Sequence, residues 1–298
     1  MPPPRAENPP SLDPTEDSDI NAAAQDLTRP ALPRQPRAQG ELVLSARLRG
    51  GQSRIGALRQ QGSLKALFPH GSGAALKAVF LNTGGGVTGG DRFSLRAEAE
   101  PGASLTLTSQ AAERIYRAQP GEVGRVATRL AAGAGATLHW LPQETIVFEG
   151  AALERRIDAE LDETASFLAV EPLIFGRAAM NERVHDARLE DRWRIRRGGE
   201  LVFADTLRMD GDIDALLCRP GVADGARAMA SLLLVRPHAG DMAAPLRAAI
   251  GPQGACSEIR PGVLFARILA EDGFALRRSL IPAIRLLAGG DIPRPWML

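Results

Sequence analysis

The sequence predicts a mainly β protein with a smaller α+β part at its C-terminal end. Three observations carry that reading. At least ten short runs between residues 41 and 220 are alternating or continuously apolar, and Gly or Pro turns separate them. Later, 241–250 and 272–287 read as helices with an Asp near each start, and Leu276, Leu280, Ile284 and Leu287 repeat at helical spacing. Between those helices, 256–260 and 263–269 read as a strand pair. The expected organisation is a Pro-rich, disordered tail over residues 1–40, a β-rich body over 41–220, and an α+β part over 221–298 packed on that body. The tail carries nine prolines and almost no bulky apolar residues, too little to offset the entropy of ordering it.

Taken in order, Leu42, Leu44, Ala46 and Leu48 alternate with polar neighbours as a first strand, which Gly50-Gly51 interrupts. A short strand is expected at 63–68 and another at 74–81. Phe93, Leu95, Ala97 and Ala99 alternate in the next, and Pro101-Gly102 then signals a hairpin into 103–108. Residues 109–117 fit either a helical turn or an irregular rim. Strands resume at 124–130, 137–141, 145–148 and 152–161. In the last of these Leu153, Ile157 and Leu161 share a face with Arg155, opposite Glu154, Arg156, Asp158 and Glu160. The run 166–170 is more continuously apolar, hence central. Gly198-Gly199 joins 188–197 to 201–209 as a two-residue hairpin. No repeat of fixed length is visible, so periodicity alone does not predict a regular solenoid.

The densest local signal is Asn82-Thr83-Gly84-Gly85-Gly86-Val87-Thr88-Gly89-Gly90-Asp91. Glycine is used where the backbone takes positive φ or another group comes close. Gly84, Gly86 and Gly89 match G-x-G-x-x-G, but a dinucleotide site needs a helix to open there. The period-two run after Asp91 is a strand, and no Gly-Lys-Ser/Thr follows. The loop therefore reads as a structural connection or as a docking loop.

Composition bounds the rest. The net charge is +1, with one Tyr and three Trp, so nothing pulls the chain toward nucleic acid or membrane and stacking platforms are scarce. Two cysteines fit a reducing cytoplasm, and no signal peptide or membrane span is expected. The four histidines lie far apart without metal-ligand spacing, and no G-x-S-x-G elbow is present. Glu144, Glu149 and Glu171 each sit beside a bulky apolar segment, a place for acid–base work or for pairing with arginine. Arg177, Glu182 and Arg183 follow a central strand, either as a solvated loop or as a guanidinium offered to a partner's carboxylate.

Five segments in order, 58–69 (LRQQGSLKALFP), 81–91 (LNTGGGVTGGD), 108–117 (TSQAAERIYR), 140–150 (WLPQETIVFEG) and 173–182 (LIFGRAAMNE), resemble the UreD (UreH) family of urease accessory proteins. The match covers roughly residues 41–290; Asn181 stands where that family often has Gly. The resemblance implies a β-helix-like stack of short strands with a smaller helical part. It implies a scaffold and no enzyme, one that binds apo-urease and a UreF-like partner, recruits a UreG-like GTPase through that partner, and assists nickel insertion through an internal tunnel. No cofactor is then tightly bound, and nickel is in transit. Carried onto this sequence, Thr83, Gly84, Gly85, Gly86, Thr88, Gly89, Asp91, Glu113, Tyr116, Arg177 and Glu182 are expected at a partner-binding or tunnel rim. Transient nickel contacts are expected at Asp91, Glu144, Glu149 and Glu171. The rival reading is a β-helix carbohydrate-active enzyme with paired carboxylates, against which the scarcity of aromatics weighs.

Overall fold

Short strands with one apolar face bury it against another layer, and this chain does so by winding between two sheets. The computed structural model describes residue 1 and residues 36–69, 73–290 and 292–297; most of the expected 1–40 tail lies outside the described residues. The first sheet contains β1 (Gln39–Arg49), β2 (Gln52–Gly62), β5 (Arg92–Ala99), β8 (Gly124–Ala132), β11 (Ala152–Leu161), β13 (Ala187–Arg197) and β14 (Glu200–Gly211). The second contains β3 (Leu64–Leu67), β4 (Leu76–Asn82), β6 (Ser104–Ser109), β9 (Thr137–Trp140), β12 (Ser166–Phe175), β15 (Ala228–Val235), β16 (Gly254–Arg260) and β17 (Val263–Ala270), with short β7 (Glu113–Ile115) and β10 (Thr145–Val147) at its margin.

From β4 to β13 the chain alternates between sheets, and each strand lies parallel to the one a full coil earlier. β4, β6, β9 and β12 stack in one sheet, and β5, β8, β11 and β13 in the other. The result is a β-solenoid-like stack of about four turns with a few C-terminal helices, as the resemblance implies. Val87 bridges Ile115, and β7 pairs with β10 and β10 with β12, which gives the coil a third, narrow side. Antiparallel pairs close the ends: β1 with β2, β3 with β4, β13 with β14. The Gly198-Gly199 turn of the last pair has positive φ at both residues, as its hairpin geometry requires.

The hairpin expected at Pro101-Gly102 is not there. β5 and β6 lie in different sheets, and β6 pairs in parallel with β4 and β9. The turn chemistry is right, but it serves a corner of the coil. By contrast, the strand expected after the glycine loop is present as β5, so no helix N-terminus faces that loop.

Side chains in register stack along the interior. Leu42, Leu95, Thr128, Ile157 and Trp193 form one buried row across β1, β5, β8, β11 and β13. The helices Ala243–Ile250 and Gly273–Leu287 cover the outer side of the second sheet, where Leu276, Leu280 and Ile284 meet Leu168, Val170 and Leu232 in a separate core. Asp272 caps the second helix by accepting from Ala275 N at 2.8 Å. No helix among the described residues is long and apolar enough to cross a membrane.

Candidate functional site

The period of two that buries Leu153 and Ile157 also sends Arg155 into the coil, and β13 does the same with Asp191, its direct register partner. Arg155 donates from Nε to Asp191 Oδ1 at 3.0 Å and from Nη2 to Oδ2 at 2.7 Å, a forked pair. Its Nη1 reaches Thr145 Oγ1 at 2.9 Å and lies 2.5 Å from Glu171 Oε2, which comes across from β12. Trp140 Nε1 donates to Glu171 Oε1 at 2.7 Å, and the Trp140 ring stacks on Phe80 at 5.1 Å. Burial works against the charge on Arg155, but Asp191 and Glu171 outweigh it and hold the guanidinium charged. Burial raises Glu171 to about 7 despite Arg155.

These groups wall an internal cavity of about 80 Å³, well above the roughly 10–15 Å³ one water needs. Glu113, Ser109 and Gln143 complete its polar lining. Gln143 Nε2 is buried without a hydrogen bond, so the wall has a spare donor, whereas Glu171 Oε2 is taken up by its ion pair with Arg155. A surface cleft of about 130 Å³, lined also by Asn82 and Gly85, shares Phe80, Ser109 and Glu113 with the cavity. Glu113 thus stands between outside and inside. Burial raises it to about 7, with the Asn82 amide pulling the other way.

The glycine loop forms the outer lip of this cleft. Asn82 organises it: Oδ1 accepts from Gly84 N at 2.9 Å, and Nδ2 donates to Gly86 O at 2.8 Å and weakly to Glu113 Oε1 at 3.4 Å. Tyr116 donates its hydroxyl to Gly85 O at 3.2 Å and packs edge-on against Phe148. A Cβ on Gly86 would lie 2.4 Å from the Tyr116 ring and 2.5 Å from Arg114 O, at φ +154. Gly86→Ala is therefore expected to lower stability by about 1–3 kcal/mol, measured by urea denaturation. An unchanged midpoint would mean that the lip yields without cost.

The other expected residues are held in structural bonds. Thr83 fixes the loop to Ser63 O at 3.1 Å, and Thr88 bonds Arg117 O at 2.8 Å. Gly89 packs where a Cβ would meet Ala118 and Glu122. Buried Asp91 accepts from Ala38 N at 2.8 Å and Thr88 N at 2.9 Å, tying the start of β1 to the loop. Glu144 forms a forked pair with Arg277 (2.6 and 2.9 Å), and Glu149 accepts from the backbone N–H of His185 and Asp186. Arg177 forks onto Glu182 at 2.8 Å and lies over the Phe148 ring. Only Glu113 and Glu171 of the expected carboxylates line the cavity. Sequence reasoning passed over Arg155, Asp191, Asn82 and Gln143, although Arg155 amid the apolar face of its strand was a readable sign.

Glu113 also yields a pH prediction. Its folded pKa of about 7 exceeds the unfolded value near 4.5, so the folded state holds the extra proton between them. Stability is highest below pH 4.5 with respect to this group and declines as pH rises toward 7, by at most about 1.4 kcal/mol per unit. In Glu113→Gln that part of the slope should vanish in denaturation series across this range. Identical slopes in the two proteins would contradict the burial of Glu113.

Fold and site together define a β-solenoid protein with a largely apolar inner cavity that carries Glu113, Glu171 and Arg155 in its wall and shares Glu113 with a cleft at the glycine-rich lip. Among the described residues, no three His, Cys, Asp or Glu side chains converge to hold a metal ion. The chain belongs to the UreD family of urease accessory proteins: that family's model, described as UreD urease accessory protein, matches residues 38–297. Proteins named urease accessory protein UreD from Roseobacter denitrificans and Ruegeria pomeroyi are each 47% identical, over 91% and 86% of this chain and 100% of their own lengths. UreD 1 of Brucella abortus is 46% identical over 88% of this chain and 95% of its own.

Proposed function

We propose that this protein is a urease maturation scaffold whose interior passes nickel toward the urease centre. It binds apo-urease and a UreF-like partner, through which a UreG-like GTPase is recruited, and it works in the cytoplasm without catalysing a reaction of its own. The observation that carries the passage is Glu113, shared by the surface cleft and the inner cavity, with Glu171 behind it. Carboxylate, amide and hydroxyl oxygens bind divalent nickel less tightly than clustered imidazole or thiolate does, so cargo can leave as well as enter. Two carboxylates that titrate near 7 change the charge of the passage around neutral pH. The lip from Thr83 to Gly89, with Tyr116, Arg177 and Glu182, is the rim against which a partner seats. Asp91, Glu144 and Glu149 hold the walls through the bonds described above, and the transient nickel contacts fall to Glu113 and Glu171. The free thiols Cys218 and Cys256 accord with a reducing compartment.

The test is co-expression with the partner proteins and apo-urease, with the assembly isolated before nickel is added. Wild type is expected to co-purify and to support nickel-dependent urease activation. Glu113→Gln/Glu171→Gln is expected to lose at least about tenfold in activation while still co-purifying, its folding being checked by a thermal melt because Glu171 also pairs with Arg155. Full activation by the double variant would sink the passage; failure of folded wild type to co-purify would sink the scaffold.

A further inference from the structure

We infer that the outer face of the first sheet is a docking surface for an acidic, extended segment of a protein partner. The inference rests on the chain working as an assembly scaffold, and it uses no residue of the cavity. On this face Arg92 stands in register with Arg125, and Arg96 with Arg129, on the neighbouring parallel strands β5 and β8. All four are exposed. Neighbouring strands lie about 4.8 Å apart, and like charges directly opposite are destabilising.

The chain carries 35 acidic residues for 36 basic ones, so acids were available to interleave. They are used that way on the next strands, where Glu154 pairs with Arg125 and Arg188, and Glu190 with Arg192. Across β5 and β8 they are not. Arg92, Arg96 and Arg129 form no ion pair among the described residues.

Between the two arginine pairs the register places only Ser94 and Ala127. A concavity of about 460 Å³ opens beside the first pair, with Arg92, Arg125, Ser94 and Ala127 in its wall together with Glu41, and it reaches toward β1 and β2 while Arg96 and Arg129 stand outside it. Two rows of guanidinium groups flanking a floor of small side chains suit an extended backbone that carries carboxylates to both sides, which arginine receives in forked pairs. Nucleic acid fits less well, because the outward residues of β5 and β8 include no aromatic ring for base stacking.

A fluorescein-labelled polyglutamate peptide is titrated with the full chain at low and at physiological salt, with Arg96→Gln/Arg129→Gln, Arg92→Gln/Arg125→Gln, and Arg278→Gln on the C-terminal helix as a control. Wild type and the control are expected to bind alike, and each double variant to bind at least about tenfold more weakly while its thermal midpoint stays level or rises, because repulsion has been relieved. In co-purification the same double variants should lose a urease component at physiological salt. Undiminished peptide binding by both double variants overturns the proposal. So does equal competition by an oligothymidine, or partner capture that both double variants leave intact. Because the peptide titration needs no urease component, its failure is separable from failure of the scaffold reading.

Discussion

Replacing Arg155 with Met is expected to destabilise the protein by about 3–5 kcal/mol, the largest effect of any single polar substitution proposed here. Arg155 is a cation enclosed by the coil, and both Asp191 and Glu171 depend on it. Removing one partner of a buried ion cluster leaves the remaining charges desolvated and uncompensated. Asp191 loses both bonds of a forked pair, while Glu171 retains the Trp140 indole. Glu171 can also escape part of the penalty by taking up a proton, since burial has already raised it to about 7. The loss in Arg155→Met should therefore be smaller at pH 5 than at pH 8. Urea denaturation at the two values measures it. A variant within about 1 kcal/mol of wild type at pH 8 would contradict the enclosed ion cluster. The combined change of Arg155, Asp191 and Glu171 to apolar residues of similar size should recover most of the stability, because no charge is then left inside.

Trp296→Ala is the second large effect, at about 3–5 kcal/mol. The ring is fully buried among the residues of the helix-covered core, and Nε1 donates to Leu141 O at 3.0 Å. Leu141 begins the stretch Pro142-Gln143-Glu144, of which Pro142 and Gln143 wall the cavity, and Arg277 binds both Gln143 and Glu144 from the C-terminal helix. Losing the indole therefore removes apolar area and leaves a carbonyl unpaired at the back of the cavity. Trp296→Phe should cost less, since it retains most of the volume and loses the bond alone. Equal losses for Phe and Ala would assign the whole effect to that bond and none to packing.

Much of the coil was legible because its strands obey local rules. β5, β11 and the β13–β14 hairpin follow from alternation and turn chemistry, and the helix Gly273–Leu287 from spacing and its Asp cap. Two strands were not legible. β2 is polar and mostly exposed at a sheet edge, so no apolar period marks it. β15 is a continuous apolar run buried on both faces, and such a run carries no period either. The coil also left no fixed repeat: Arg92 aligns with Arg125, Arg125 with Glu154, and Glu154 with Glu190, in steps of unequal length.

The sequence by itself determined where most of the strands and the two longer helices form, which face of each is apolar, and the family, because these depend on neighbouring residues and on motif order. It did not determine which strands pair, since the same Pro-Gly turn can close a hairpin or round a corner. The cavity was decided by tertiary structure alone. Arg155, Glu171 and Asp191 come from three strands in two sheets, and Glu113 from a fourth element at the margin. Their meeting depends on register accumulated over whole coils, which no local pattern encodes. The same register placed Asp91 and Glu144 in structural bonds and left Glu113 and Glu171 facing the cavity, a distinction that identical carboxylates cannot carry in their own sequence.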